Sequence, residues 1–253
     1  MGCLVNEQHA LDRPQPRSAG AGATHCTTLA LVLARRSDRR SEDLEAVLRS
    51  QRAELRRAGL KPRAAVAVEP DPFTGTAHGA EVPARIDGLL SVELSASRTR
   101  AELAAVFRKS AEQLAQVADL DRSGLIYGVQ RVIFGGDGPL QVSFALRRRA
   151  TMDHGQFSDY WLNVHGRMAR EAPRRKAGGY RQLHADLIGS RDIAAAAGFG
   201  VADYDGIVSS DHSGVERMKK AFGHPAVSEI ALADERRFID HARSAIGLLR
   251  KLL

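Results

Sequence analysis

The sequence predicts an α+β protein made of two successive βαββαβ units. Three observations predict it. Apolar runs of strand length alternate with amphipathic helical stretches, twice, in the same order. A cluster of turn formers, Gly135-Gly136-Asp137-Gly138-Pro139, separates the two sets. The sets also align: L-V-L-A-R-R from Leu31 matches F-A-L-R-R-R from Phe144 at an offset of 113 residues, and R-I-D-G from Arg85 matches D-Y-D-G from Asp203 at 118, so the later loops absorb five residues.

Residues 1–26 combine Pro14, Pro16, Gly20 and Gly22 with polar groups and no periodicity, and read as a flexible tail. The first unit occupies 27–134. Its opening strand is the apolar run 27–34. Ser41 then caps a helix with Glu42 and Asp43 in its first turn, where acids suit the helix dipole. Leu44, Val47, Leu48 and Leu55 share one face of it, and Gly59 ends it. Residues 62–69 supply a second strand, 70–83 a polar loop, 86–94 a third strand, 100–118 a second helix and 125–134 a fourth strand. That order is the ferredoxin-like arrangement.

After the linker at 135–139, the pattern restarts over 140–253. Residues 140–146 are a strand. Asp153 and Gln156 form a capping box for the next helix. Residues 178–186 read as a strand with Tyr180, Gln182 and His184 on one face. A small-residue loop, open to being partly helical, follows at 188–202, then a strand at 204–209, a helix beginning at 215–222 and a last strand at 244–253. Two such units can face their sheets together as a pseudo-two-fold α/β barrel, which also covers sheet edges.

Within 253 residues, 43% are apolar and 26% charged, the balance of an ordinary globular protein. The net charge of +7 arises from scattered Arg pairs interleaved with acids, so a nucleic-acid partner is not expected. Cys3 and Cys26 make no C-x-x-C pair, and no metal-ligand spacing joins His154, His165, His184, His212 and Asp205. The glycine fingerprint of a dinucleotide site and the G-x-S-x-G of a serine nucleophile are both missing. The expectation is therefore no metal and no cofactor. No apolar run near the start suits a signal peptide or membrane span, so a cytoplasmic location is expected.

The stretch 157–166, F-S-D-Y-W-L-N-V-H-G, holds the single Trp. Phe157, Tyr160, Trp161, Val164 and Met168 share a helical stripe, with His165 at its rim. At the 113-residue offset, Trp161 corresponds to Leu48 and His165 to Arg52. Both helices keep an apolar stripe, as a fold requires, but only the second adds Tyr, Trp and His. That asymmetry points to chemistry in the second half.

These residues carry a resemblance. The Arg147–Arg149 run, Tyr160-Trp161 with His165-Gly166, Tyr180 with His184, Tyr204-Asp205-Gly206 and the A-D-E-R-R-F-I-D of 233–240 together resemble the EthD-type members of the dimeric α/β barrel superfamily, over about 141–253. The first half resembles the fold but lacks the His motif, as a degenerate repeat would. Arg167 stands where the family usually has Pro. The resemblance implies a pocket between the sheet and its covering helices. It also implies relatives that are often cofactor-free cyclases, isomerases, dehydratases, decarboxylases or monooxygenases of polyketide-like or aromatic compounds.

The residues suit such chemistry. An imidazole titrates near neutral pH and can take and return a proton, the role expected of His165. Tyr180 and His184 can hydrogen-bond an enolate or phenolate oxygen, and Asp205 can orient an imidazole. Phe157, Tyr160, Trp161 and Tyr204 can wall a planar, small-molecule substrate. The expected function is a cofactor-independent lyase, cyclase or isomerase. A cofactor-free monooxygenase and a non-catalytic binding or assembly protein stay open, as do a homodimer and a substrate contact by Arg52.

Overall fold

The computed structural model describes residues 25–94, 98–171, 178–200, 203–222 and 225–253. The first half comprises β1 (His25–Arg35), α1 (Ser41–Arg57), β2 (Lys61–Ala67), α2 (Ala77–Glu81), β3 (Ala84–Arg85), β4 (Gly88–Leu94), α3 (Arg100–Leu114) and β5 (Ala118–Phe134). The second comprises β6 (Leu140–Leu146), α4 (His154–Tyr160), a π-helical turn (Trp161–His165), α5 (Gly166–Glu171), β7 (Tyr180–Ala185), α6 (Leu187–Ala197), β8 (Gly206–His212), α7 (Val215–Phe222), α8 (Pro225–Phe238), a 3-10 turn (His241–Arg243) and β9 (Ala245–Leu252).

The strands run β2-β4-β1-β5-β7-β8-β6-β9, and β2 also pairs with β9, so these strands close into an antiparallel barrel. Each half contributes four neighbours in ferredoxin-like order. The halves are stitched where β5 meets β7 and where β2 meets β9. The short β3 runs parallel to β9, beyond the stretch of β9 that β2 occupies. Two βαββαβ units thus form the expected pseudo-two-fold barrel.

Alternation along the strands sorts three cores. Ala30, Val32, Ala65, Leu89, Ile126, Leu183 and Leu249 point inward and fill the barrel. Outside the first half, Leu44, Leu48 and Leu55 of α1 and Phe107 and Leu114 of α3 pack on Leu29, Leu31, Leu33 and Leu90. Outside the second half, Phe157, Trp161 and Phe238 pack on Val142, Phe144, Leu146 and Leu248.

Two connections are more ordered than a loop reading gives, and for the same reason. The 188–202 stretch, read as a small-residue loop with a partly helical alternative, contains α6, and its Ile193, Ala194 and Ala197 pack on the first half's outer core. Arg100 of α3 holds Asp186 and Asp192 at 2.9 and 3.1 Å. Reciprocally, the polar loop of 70–83 contains α2, and its Phe73 and Val82 join the second half's core. Each half therefore lays its middle connection over the other. The apolar partners of these arms lie in the opposite unit, so local periodicity was weak. No helix among the described residues is long and apolar enough to cross a membrane.

Candidate functional site

The helix after β6 is interrupted where the sequence concentrates its aromatic residues. α4 starts on the capping box of Asp153 and Gln156, then passes at Trp161 into a π turn ending at His165. The cause is a competing donor. Gln182 Nε2, on the outward row of β7, donates to the Trp161 carbonyl at 3.1 Å, and Gly166 N reaches the same carbonyl. A side chain inserted into the helical ladder is a standard origin of such a turn, and single π turns recur at functional sites. Gly166 leaves the room: a Cβ there would meet Gln182 Nε2 and the Trp161 oxygen, both at 3.2 Å.

Gln182 is itself held in one orientation. His184 Nε2 donates to Gln182 Oε1 at 3.1 Å, and Ser158 Oγ donates to His184 Nδ1 at 2.6 Å. The His184 ring lies 4.5 Å from that of Trp161. Burial first, then the charges of Arg131 and His154, push the His184 imidazole down to about 3, so it is neutral.

The unfolded chain takes up a proton at His184 below its ordinary value of about 6.5, and the folded chain does not. Stability therefore falls as pH drops from about 6.5 toward 3, by up to about 1.4 kcal/mol per pH unit. His212, also lowered by burial, adds in the same direction. His154 works oppositely and elsewhere. The hydrogen bond to Asp205 raises it, against burial, so its contribution is present below about 6.5 and lost as pH rises through the higher folded value. Urea midpoints between pH 4.5 and 6.5 should thus slope downward with acid in the native protein. His184→Gln should flatten that slope; an unchanged slope would assign it to other groups.

Beyond the π turn lies a cavity of about 270 Å³ between the outer face of the second sheet, the Trp161–His165 turn and α8. Phe134, Val142, Phe144, Leu146, Trp161 and Ile246 make it predominantly apolar. Its polar groups are few, and His165, Tyr180, His78 and Glu235 are among them. His165 Nδ1 donates to Asp234 Oδ2 at 2.9 Å, and Tyr160 Oη donates to Asp234 Oδ1 at 2.6 Å. The His165 hydrogen bond, joined by Tyr160's and opposed by burial, holds the Asp234 carboxyl below its usual range. The pairing leaves His165 Nε2 as the ring nitrogen available to the cavity. Phe238 supports the His165 ring at 5.3 Å and the Tyr160 ring at 5.2 Å. Burial, against hydrogen bonds from Gln182 and Trp161, pushes the Tyr180 phenol up to about 12, so it keeps its proton.

The first half reaches this cavity through α2. His78 Nε2 lies 3.3 Å from Glu235 Oε2, and His241 Nε2 is equally close to the same oxygen. Burial would raise Glu235, but hydrogen bonds from His241 and His78 outweigh it and bring the carboxyl to about 2. Glu81 takes His241 Nδ1 at 3.3 Å and pairs with Arg236.

Of the residues singled out from sequence, His165, Tyr180, Trp161, Met168 and His212 line one cavity. Several others are elsewhere. Phe157 is fully buried beneath Trp161, 5.6 Å ring to ring, and Tyr160 stands behind Asp234. His184 is on the far side of Trp161 from the cavity-lining set, in the Ser158–Gln182 chain. Tyr204 faces the barrel interior, with the Arg147 guanidinium 5.0 Å above its ring. Asp205 accepts from His154 Nδ1 and the Arg148 backbone, both at 2.8 Å, and from the Arg148 guanidinium. Since His154 Nε2 donates to the Ala185 carbonyl at 2.9 Å, Asp205 orients His154, tying the start of α4 to the sheet, and not His165. Gly206 completes that scaffold: a Cβ would sit 2.4 Å from the Leu183 oxygen and 2.6 Å from the Trp161 ring. Arg52 lines a different cleft. Among the described residues no cluster of three or more His, Cys, Asp or Glu side chains could hold a metal.

Sequence reasoning missed Asp234, Glu235 and His78 as site residues. The first two sit inside the 233–240 segment that carries the family resemblance; nothing local marks His78.

Residues 149–242 match the EthD domain. No curated protein sequence matches the chain. Among solved structures, a provisionally named monooxygenase from Lactobacillus acidophilus NCFM aligns with 90% of this chain and 94% of its own at 9% identity and a TM-score of 0.45. A provisionally named chlorite dismutase aligns with 91% of this chain and 96% of its own, at 12% identity and a TM-score of 0.49.

Proposed function

We propose that the EthD domain carried by residues 149–242 is a cofactor-independent acid–base catalyst, a lyase, cyclase or isomerase, acting on a small aromatic or enolisable carbonyl compound. One observation carries this reading: a carboxylate-backed imidazole presents its second nitrogen to a small apolar cavity that also holds a protonated phenol.

The chemistry follows from those groups. His165 Nε2 takes a proton from the carbon beside a carbonyl, and the electron pair moves onto the oxygen. Asp234 stabilises the resulting imidazolium. The Tyr180 hydroxyl donates a hydrogen bond to the enolate oxygen. Return of the proton to another carbon isomerises the substrate; loss of a β-hydroxyl, which leaves as water with the proton held by His165, gives dehydration; attack of the enolate carbon on a second carbonyl of the substrate, whose oxygen takes up that proton, closes a ring. Apolar walls suit a planar ring. At protein packing density a cavity of about 270 Å³ holds roughly 200 Å³ of ligand, which favours one or two rings over an extended polycycle.

Proton transfer can be read without the natural substrate. In D₂O the protein should accelerate hydrogen exchange at the activated carbons of 2-tetralone, followed by proton NMR. 2-Naphthol, whose phenol resembles the enol, should inhibit it. Exchange no faster than in buffer across a panel of aryl ketones, with no binding of naphthols, would favour a non-catalytic binding or assembly role for the fold.

A further inference from the structure

We propose that the cleft where β2 meets β9 binds a small, multiply charged oxyanion, at a site separate from the His165 cavity. The cleft measures about 600 Å³ and carries six cations: Arg52 and Arg56 from α1, Lys61 and Arg63 from β2, Arg181 from β7 and Lys251 from β9. Glu93 and Asp137 are the carboxylate side chains on its lining.

The cations fall into two tiers. Strand register puts Arg63 opposite Ser91, Arg181 opposite Ser209 and Lys251 opposite Ala65, on the row that faces into the barrel. These inner cations are neutralised within the protein. Arg63 pairs with Glu93 at 2.8 Å, Arg181 with Asp211 at 2.7 Å, and Lys251 with Asp211 at 2.9 Å and with Asp137. The rim is different. Arg52, Arg56 and Lys61 form no ion pair with a carboxylate side chain among the described residues. The neighbouring Arg49 is occupied by Glu45 and by the Leu253 oxygen.

In the Arg147–Arg149 run, Arg147 covers Tyr204, Arg148 pairs with Asp205 and Arg149 donates to the Arg236 carbonyl. At the rim of this cleft, by contrast, Arg52, Arg56 and Lys61 share one recess with no carboxylate side chain among the described residues paired to them. Arg52 is half-buried there, and burial followed by repulsion from Arg56 and Arg49 lowers its pKa. Like charges held together in a recess disfavour the folded state unless an anion joins them. Two guanidiniums and an ammonium suit a group with several oxygens, since guanidinium binds oxyanions through paired hydrogen bonds. Leu60, Pro62 and Leu89 on the same walls give an organic portion something to cover. Phosphate esters and polycarboxylates share this chemistry.

Because the cleft spans the β2–β9 seam, an occupant touches both halves of the barrel. Isothermal titration with pyrophosphate and with citrate, at constant ionic strength, should give saturable one-to-one binding, and the bound form should unfold at higher temperature. The double variant Arg52→Gln/Arg56→Gln should bind at least about tenfold more weakly, and Lys61→Gln should show a smaller loss. His165→Ala should bind the anions as the native protein does, which separates this site from the proposed catalytic one. Tighter pyrophosphate would point to a phosphate ester, tighter citrate to a polycarboxylate. Absence of saturable binding by both probes, or equal affinity in a correctly folded double variant, overturns the proposal.

Discussion

Replacing His165 by alanine lowers protein-catalysed exchange of 2-tetralone by about 10²- to 10⁴-fold, the range that a positioned general base contributes. The expectation rests on geometry. Asp234 fixes His165 through Nδ1 at 2.9 Å and is itself fixed by Tyr160 at 2.6 Å, so the proton-accepting nitrogen is directed before any substrate arrives. Alanine removes the base and leaves the cavity wall otherwise intact. Asp234→Asn keeps the shape but withdraws the carboxylate that stabilises the imidazolium, and should lower the rate without much effect on naphthol binding. His184→Gln offers a contrast, because His184 acts on the site only through Gln182 and the Trp161 turn. If His165→Ala exchanges ketone protons as fast as the native protein, the base lies elsewhere.

The largest effect on stability is expected at Phe238. It is fully buried and packs against the rings of Phe157 at 5.7 Å, Tyr160 at 5.2 Å and His165 at 5.3 Å. Phe238→Ala should cost about 3–5 kcal/mol, from lost transfer free energy and the void left behind. For a chain of this size that is a fall of roughly 6–20 °C in Tm. Phe107, fully buried under the first half's helices, is the control. Phe107→Ala should destabilise comparably yet leave ketone exchange per folded molecule unchanged, whereas Phe238→Ala should lose both. Equal activity in the two variants would show that Phe238 packs the core without organising the site.

These contrasts reflect what each half does with the same plan. In the first half, Leu44, Leu48 and Leu55 of α1 close the space over the sheet with Phe107 and Leu114. In the second, the π turn and the arm from the first half leave a cavity. The strand and helix order was legible because strands of period two and helices with capped ends leave local signals. His165 stood out because the residue at the 113-residue offset, Arg52, lacks the aromatic company. What could not be read was anything depending on contact between distant segments. The segment carrying α2, through Phe73 and Val82, and α6 bury their apolar residues on the opposite half, so neither reads as amphipathic against its own unit. His78 reaches the site only through such an arm. The Tyr204-Asp205-Gly206 motif was legible as a pattern but not as scaffold, since its reasons are the Arg147 guanidinium, the His154 ring and the Trp161 indole, each met only in space.

The central claim is that His165 faces a bound ligand in the Trp161 cavity. Histidine-labelled protein titrated with 2-naphthol, and followed by ¹⁵N NMR, tests it most directly. The account predicts that the His165 Nε2 resonance moves to saturation while those of His154 and His184, committed to hydrogen bonds on both nitrogens, hold still. Saturable naphthol binding with His165 unmoved would contradict it.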